Sequence, residues 1–372
     1  MEAAITNQPS RILLIDRCAG LRRVPPHERA HANCELIAAA QVAAALIGAD
    51  SREIVWTSGA TEANNLALKG LADVGAGSRN HFVTVSTEHK SVLDTCKRLE
   101  QRGCRVTILA VDGQGQLDLD AVRASVTDRT AAVSVMAANN EIGVLLPLAA
   151  IAAIAHEHGA LMHTDAVQAA GKVPFDVNAA GVDLASVTAH KLYGPKGVGA
   201  LYVRRKNPRV TITALLDGGG HERGMRSGTL NVPGIVGFGA AAVLAQRQMA
   251  EEAVRVLRLR TRLLEGLQAR LPDVIVNGAL EARLPGNLNV SLPGVDGEAL
   301  LVSLCEDVAV SSGAACTAAE PSHVLKALGR KTDLALASLR FGLGRWTTEA
   351  EVDVVLGRVS ETVMRLRAMS MA

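Results

Sequence analysis

The sequence predicts an α/β protein with a large domain built on a mainly parallel sheet, followed in the chain by a smaller α+β domain. At 372 residues and 48% hydrophobic composition, the chain can bury the cores of two domains. From Glu53 to Val203, short apolar runs alternate with helical stretches, as in a sheet covered by helices on both faces. After about Ala240 this alternation stops and a long charged helical stretch begins.

The large domain is predicted to contain seven strands and the helices between them. The strands are short runs rich in β-branched residues: EIVWTS, HFVTVS, RVTILAV, AAVSVMA, ALMHTD, LASVTA and GALYVR. The helices carry apolar residues near helical spacing: ATEANNLALKGLADVG, HKSVLDTCKRLEQRG, LDAVRASVT and LAAIAAIAHEHG. This order predicts a doubly wound domain.

The rest of the chain predicts a different architecture. AEEAVRVLRLRTRLLEGLQARL reads as a long helix, GNLNVSLPG contains a strand, and a helix and a short strand precede Cys316. We therefore expect an N-terminal segment at 1–48 that packs against the small domain or a dimer interface. The large domain is expected at 49–240 and the small domain at 241–372.

Composition excludes several classes of protein. With 39 Lys and Arg against 37 Asp and Glu, the chain has no basic stripe, and we expect no direct binding of nucleic acid. No apolar run is long enough to span a membrane, and the first residues lack a targeting segment, so a cytoplasmic protein is expected. Six scattered cysteines without metal-ligand spacing disfavour a disulfide framework, a structural zinc site or any other metal site.

Polar residues follow five of the first six predicted strands. Because the carboxyl ends of parallel strands meet at one edge of a sheet, these residues are expected to line one site. They are Ser58 to Thr61, Glu88 with His89, Asn139 to Glu141, Asp165 with Gln168, and Thr188 with His190 and Lys191. Taken singly, each fits an ordinary helix cap or a solvated surface residue. Their recurrence at the strand ends points to a shared site.

One cofactor, pyridoxal 5'-phosphate (PLP), needs these residue types together. It requires a lysine to form a Schiff base, a carboxylate against the pyridine nitrogen, a phosphate cradle and a donor for the ring hydroxyl. A Gly-Ala-Thr turn at the start of a helix offers N–H groups and a positive dipole end to a phosphate.

Long motifs in order resemble the NifS/IscS-like cysteine desulfurases, from about Glu53 to Thr347. They are TSGATEANNLALKG, STEHKSVLDT, NNEIGVLLP, HTDAVQAAGK, TAHKLYGPKGVGALYVR, GGGHERGMRSGTLNV and SSGAACT. The resemblance implies a PLP-dependent homodimer of fold type I. Such an enzyme converts L-cysteine into L-alanine and keeps the sulfur as a persulfide for a protein acceptor or scaffold.

The same resemblance implies roles for residues around the cofactor. Lys191 would hold PLP as a Schiff base and shuttle a proton, and Asp165 would keep the pyridine nitrogen protonated. Gln168 would donate to the ring hydroxyl oxygen. His89 would stack on the ring and act in acid–base steps, and Asn140 would contact cofactor or substrate.

Two further groups of residues follow from the resemblance. Arg340 would clamp the substrate carboxylate with its planar guanidinium. The phosphate would be bound by Ala60, Thr61, Thr188 and His190, together with Thr229 from the partner subunit.

Cys316 is the candidate sulfur carrier. It lies in SSGAACTAAEPS, a run of small residues that predicts a mobile loop. Its thiolate would attack the sulfur of the bound substrate and carry the persulfide outward. Cys305 is interpreted instead as a small buried cysteine. No role is assigned to Cys18, Cys34, Cys96 and Cys104.

The N-terminus departs from the family, which has an Asp-x-x-Ala-Thr-Thr-Pro loop where this chain has IDRCAGLRRVPPHERAHANC. Two alternatives stay open beside desulfuration, and the second follows from this N-terminus. One is a selenocysteine lyase or related PLP lyase, and the other is a sulfur-carrier platform of low activity. Iron–sulfur assembly, tRNA thiolation and DNA phosphorothioation would all use the same sulfur chemistry.

Overall fold

A computed structural model describes residues 26–75, 78–308, 311–312 and 321–371. In the large domain, the sheet order is β1-β7-β6-β5-β4-β2-β3. Only β7 runs antiparallel to its neighbours in this sheet of described residues. The strands are β1 (Ile54–Thr57), β2 (His81–Val85), β3 (Arg105–Leu109), β4 (Thr130–Ser134), β5 (Leu161–Asp165), β6 (Leu184–Thr188) and β7 (Gly199–Val203). The predicted mainly parallel sheet of seven strands is confirmed.

Helices cover both faces of this sheet because successive strand residues point to opposite sides. Val83 and Val85 enter one apolar core, whereas Phe82 enters the other. The first core packs against α1, α4 and α5, and the second packs against α2 and α3. These helices are α1 (Pro26–Ala45), α2 (Ala60–Val74), α3 (Lys90–Gln101), α4 (Leu119–Ser125) and α5 (Leu148–Glu157).

The small domain packs its helices on an antiparallel sheet of order β10-β11-β9-β8. Its strands are β8 (Ile275–Val276), β9 (Asn287–Ser291), β10 (Ser311–Ser312) and β11 (Ser338–Gly342). Its helices are α6 (Val232–Arg270), α7 (Gly297–Leu304), α8 (His323–Ala327), α9 (Thr332–Leu336) and α10 (Glu349–Met371). Leucines of α6, β9 and β11 share one buried core with α10.

Helix α6 joins the two domains. Phe238 near its start packs into the core of the large domain, whereas Leu263 and Leu267 pack into the small domain. The change of pattern near residue 240 therefore falls inside one continuous helix of 39 residues. This helix contributes to both cores and so connects the two domains beside the space between them.

The described part of the N-terminal segment, residues 26–48, lies on the large domain. Ala39, Ala43 and Ile47 are buried in its first core, and α1 packs along α6. Small residues allow this approach, since a Cβ on Gly239 of α6 would lie 2.9 Å from the Cα of Ala39. The packing of segment 1–48 against the small domain or a dimer interface stays a prediction.

None of the helices in the described ranges is both long enough and apolar enough to cross a membrane.

Candidate active site

A cavity of about 560 Å³ opens at the carboxyl edge of the large sheet, where it meets the small domain. Ten of the residues predicted from the sequence line it. They are Ala60, Thr61, His89, Asn140, Asp165, Gln168, Thr188, His190, Lys191 and Arg340. The structure thus brings together side chains from strand ends far apart in the sequence.

Thr229, the phosphate-binding residue predicted from the partner subunit, is exposed and lies outside this cavity of its own chain. Cys316 lies outside the described residues.

One end of the cavity is suited to an anion. Helix α2 begins there at Ala60, and no side chain caps its first turn, so its N–H groups are available to a ligand. The loop before α2 packs closely on β7. A side chain at Gly199 would not fit there, since its Cβ would lie 2.7 Å from the Cα of Gly59. Thr188 and Lys196 also line this cavity and supply a hydroxyl and a positive charge.

Asp165 forms the buried floor of the cavity, with only 6% of its surface exposed. Its Oδ2 accepts a hydrogen bond from Asn64 Nδ2 at 2.8 Å, and its Oδ1 accepts one from the Val167 N–H at 3.1 Å. Burial raises the pKa of this carboxyl, while Asn64, Val167 and His89 act in the opposite direction. A cationic partner in the cavity would therefore stabilise its ionised form.

The position and tautomer of His89 are set by the start of α3. Its Nδ1 accepts from the Ser91 N–H at 3.1 Å and lies 2.8 Å from Ser91 Oγ. That hydroxyl in turn accepts from Asn64 Nδ2 at 2.9 Å, so it donates to His89. Because Nδ1 is an acceptor, the proton of the neutral ring resides on Nε2.

Lys191 follows β6 in a short 3₁₀ turn, Ala189–Lys191. Desolvation inside the cavity lowers the pKa of its amine, and the positive charge of Arg340 acts in the same direction. A lower pKa increases the fraction of uncharged amine at neutral pH. That uncharged form is the nucleophile needed to form a Schiff base.

Arg340 reaches the cavity from β11 of the small domain, and its Nη1 donates to the Asn140 carbonyl at 2.9 Å. A second cavity of about 450 Å³ adjoins the first, and Asn140, Gln168, Lys191 and Arg340 line both. A guanidinium at this junction can bind a carboxylate that enters from the second cavity.

Glu88 and Asn139 do not line the cavity, although their positions at strand ends predicted it. Glu88 is fully buried, accepts from the Met136 N–H, and has its pKa raised well above the ordinary range by desolvation and by Asp165. Asn139 accepts from the N–H groups of Glu141 and Ile142 and so closes a turn. Glu88 and Asn139 therefore turn their side chains into the protein, whereas their neighbours His89 and Asn140 line the cavity.

Three residues that the sequence analysis did not select belong to this region. Asn64 and Ser91 connect Asp165 to His89, and Lys172 lines the second cavity. Asn64 lies four residues after Ala60, one helical turn along the same face, and that spacing was the available signal. Lys172 likewise lies four residues after the predicted residue Gln168, so the same spacing was available there, although in a turn and not in a helix.

The other described cysteines differ from one another in environment. Cys305 is exposed, so its interpretation as a buried cysteine is wrong. Helix α7 ends one residue earlier, with Leu300 and Leu304 on its buried face, and the next position turns to solvent. Burial raises the pKa of Cys96 to about 12 and also raises that of Cys104, so neither forms a thiolate readily. Cys18 and the side chain of Cys34 lie outside the description.

The described residues fit PLP. Lys191 supplies an amine of lowered pKa, Asp165 a buried carboxylate, and the first turn of α2 an anion site. His89 and Gln168 lie on the walls between them. This donor set matches the chemical groups of the cofactor one by one.

Comparisons with known proteins agree with this geometry. Residues 19–355 match the family described as Aminotransferase class-V. Over 335 residues the chain is 59% identical to Cysteine desulfurase IscS of Anaeromyxobacter sp. (strain Fw109-5), covering 90% of this chain and 82% of that protein. It is 51% identical over 352 residues to Cysteine desulfurase of Rattus norvegicus, covering 93% of this chain and 78% of that one.

The fold is also similar to a solved structure described as a NifS-like protein. The TM-score is 0.85 at 36% identity, and the match covers 95% of this chain and 96% of the other. The chain therefore belongs to the class-V aminotransferase family and, within it, to the PLP-dependent cysteine desulfurases.

Proposed function

We propose that this desulfurase releases the sulfur of L-cysteine in the cavity at Lys191 and holds it as a persulfide on Cys316. The observation that carries the proposal is the convergence of Lys191, Asp165, His89 and Arg340 on one cavity from different elements of both domains. A sulfur-carrier platform without turnover would not require this combination.

The residues of the cavity have separate tasks in this proposal. PLP, when bound, draws electrons from the substrate carbon atoms. The amine of Lys191 would hold the cofactor and move a proton to and from the substrate α-carbon. Asp165 would hold a proton on the ring nitrogen by its charge, and Asn64 would orient that carboxylate. His89 would exchange a proton through Nε2.

The phosphate and the substrate would be bound at opposite sides of Lys191. Thr188 and the start of α2 would bind the phosphate, with Ala60, Thr61 and His190 beside them. Arg340 would bind the carboxylate of cysteine, and its contact with the Asn140 carbonyl would keep the guanidinium in place.

Cys316 would take the sulfur by direct displacement. Its thiolate attacks the substrate sulfur, an S–S bond forms and the Cβ–S bond breaks. The electron pair of the broken bond stays with the carbon skeleton, which takes up a proton and becomes alanine. Atoms and electrons balance in this step, so no external oxidant or reductant is needed.

The chain on either side of Cys316 supports this role. Before it, Ser311 pairs with Arg340 in the small sheet. After it, Ser322 contacts the carboxylate of Glu141, and the ring of His323 contacts the Glu88 carbonyl at 2.9 Å through Nε2. Cys316 is four residues from Ser312, a reach of at most about 14 Å in extended chain.

Substitution of Arg340 tests the substrate assignment. We expect Arg340→Ala to raise KM for cysteine roughly 10-fold to 100-fold, because a charge-assisted pair with the substrate carboxylate is lost. Arg340→Lys should recover part of this loss, since an ammonium keeps the charge without the planar fork. Alanine formation measured against cysteine concentration gives KM and kcat separately. Unchanged KM in Arg340→Ala would contradict the assignment.

We also propose that the active form is a homodimer in which Thr229 completes the phosphate site of the partner subunit. Support comes from the exposure of Thr229 and its position outside the cavity of its own chain. A cytoplasmic location and a protein acceptor for the sulfur complete the proposal.

Mixed dimers of Lys191→Ala and Thr229→Ala subunits test this arrangement. If Thr229 acts across the interface, one site per dimer has both residues intact, and half of the sites bind PLP with wild-type affinity. If Thr229 acts within its own chain, each site lacks either Lys191 or Thr229, and no site binds PLP with wild-type affinity. A monomer in sedimentation velocity would also contradict the proposal.

A further inference from the structure

We infer that Lys172 is the positioning residue for Gln168, fixing its amide so that the nitrogen is presented to the ring oxygen of the bound cofactor. The inference rests on the PLP site proposed above. Lys172 lines the second cavity, and the function proposed above gives it no role.

The contact itself is short and direct. Lys172 Nζ donates to Gln168 Oε1 at 2.6 Å. Gln168 lines both cavities, whereas Lys172 lines the second. The glutamine side chain therefore lies between this lysine and the space where the cofactor would bind.

The chemistry of the two groups decides the orientation of the amide. A lysine ammonium has three donors and no acceptor, whereas the two ends of a glutamine amide differ, one accepting and one donating. A flipped amide would place its NH₂ group against the ammonium, with donors facing each other. Lys172 thus holds the oxygen, and the nitrogen points away from it.

The backbone around Lys172 keeps the amine in this place. Its N–H donates to the Ala169 carbonyl at 3.0 Å, and Gly171 before it has a left-handed φ of 71°. A Cβ on Gly171 would lie 2.5 Å from Leu192 Cδ2, so a glycine lets this turn pack against the residue that follows Lys191.

The surroundings of Lys172 disfavour its charged ammonium form. Desolvation, with the charges of Lys191 and Arg340, lowers the pKa of Lys172 to about 8, and Glu252 acts in the opposite direction. An apolar side chain would fill the same space without this penalty. The hydrogen bond to Gln168, together with the charge of Glu252, stabilises a lysine at this position.

A double-mutant cycle tests the inference with Lys172→Met, Gln168→Leu and the combined variant. The readouts are PLP affinity and the pH midpoint of the visible absorption of bound PLP. Loss of a donor to the ring oxygen destabilises its anionic form, so each single variant should raise the midpoint and weaken PLP binding about threefold to tenfold. In the Gln168→Leu background, Lys172→Met should add no further change.

The cycle distinguishes the orientation of the Gln168 amide from the direct effect of the Lys172 charge on the cofactor. Removal of a cation also raises the midpoint by electrostatics, but that effect would persist in the Gln168→Leu background and would overturn the inference. Lys172→Arg keeps a donor and should retain the wild-type midpoint. Lys206→Met at an exposed lysine serves as the matched control. Thermal unfolding confirms that each variant is folded.

The two levels of the proposal fail in different ways. If Gln168→Leu moves the midpoint and Lys172→Met does not, the inference about Lys172 is wrong and the PLP site stands. If the wild-type protein acquires no visible absorption with PLP, the proposed function itself is wrong.

Discussion

Replacement of Lys191 by alanine is expected to abolish the visible absorption of bound PLP and to lower alanine formation by at least about 10³-fold. The amine of Lys191 is the one that lines the cavity directly after β6, and its pKa is lowered toward the range of a nucleophile. Its loss removes both the covalent attachment and the group that moves the α-proton. Absorption spectra and alanine assays measure the two effects separately.

The matched control for this variant is Lys206→Ala, which removes an exposed lysine outside the cavity. It should keep wild-type absorption and activity. Borohydride treatment of the wild-type protein should attach PLP to the peptide containing Lys191. If Lys191→Ala still forms an adduct that borohydride reduces, the lysine has been assigned wrongly.

Replacement of Cys316 by serine is expected to abolish persulfide formation while leaving cofactor chemistry intact. Lys191, Asp165, His89 and Arg340 do not depend on this thiol, so the spectral change on adding cysteine should persist. Sulfur transfer should fall by at least about 10³-fold, because a hydroxyl is a far poorer nucleophile toward sulfur than a thiolate. Mass spectrometry of the wild-type protein should place one added sulfur on the peptide containing Cys316.

Cys305→Ser is the matched control because Cys305 is an exposed thiol of the same domain. It should retain wild-type transfer. Sulfur on Cys18, Cys34 or Cys305 in place of Cys316 would refute the transfer step. Alanine formation at the wild-type rate by Cys316→Ser, without added reductant, would refute it equally.

Strand periodicity and the polar residues after each strand were sufficient to predict the large domain and most of its cavity. Asp165 is the last residue of β5, and Lys191 lies three residues after the end of β6. Both could be selected because the sequence predicts where these two strands end. The same reasoning selected Glu88 and Asn139, which the structure uses inside the protein. A position in sequence places a residue at an edge but does not determine which way its side chain turns.

The small domain shows a second limit. Arg340 could be selected by its motif, but its place beside Asn140 required the packing of β11 against the large domain. The exposure of Cys305 depended on the residue at which α7 ends, because one step along a helix turns a side chain by about 100°. Element ends are poorly defined by propensity alone.

The sequence alone determined the class of fold and the order of its strands along the chain, and it predicted a set of candidate residues for PLP chemistry. These features depend on local periodicity and on residue type, which are written in short stretches of chain. The tertiary structure decided which of those residues face one cavity, how α6 joins the domains, and that the Arg340 Nη1 meets the Asn140 carbonyl at 2.9 Å. Such contacts join elements and turns whose relative positions are set by the packing of the whole core, which no short stretch of sequence encodes.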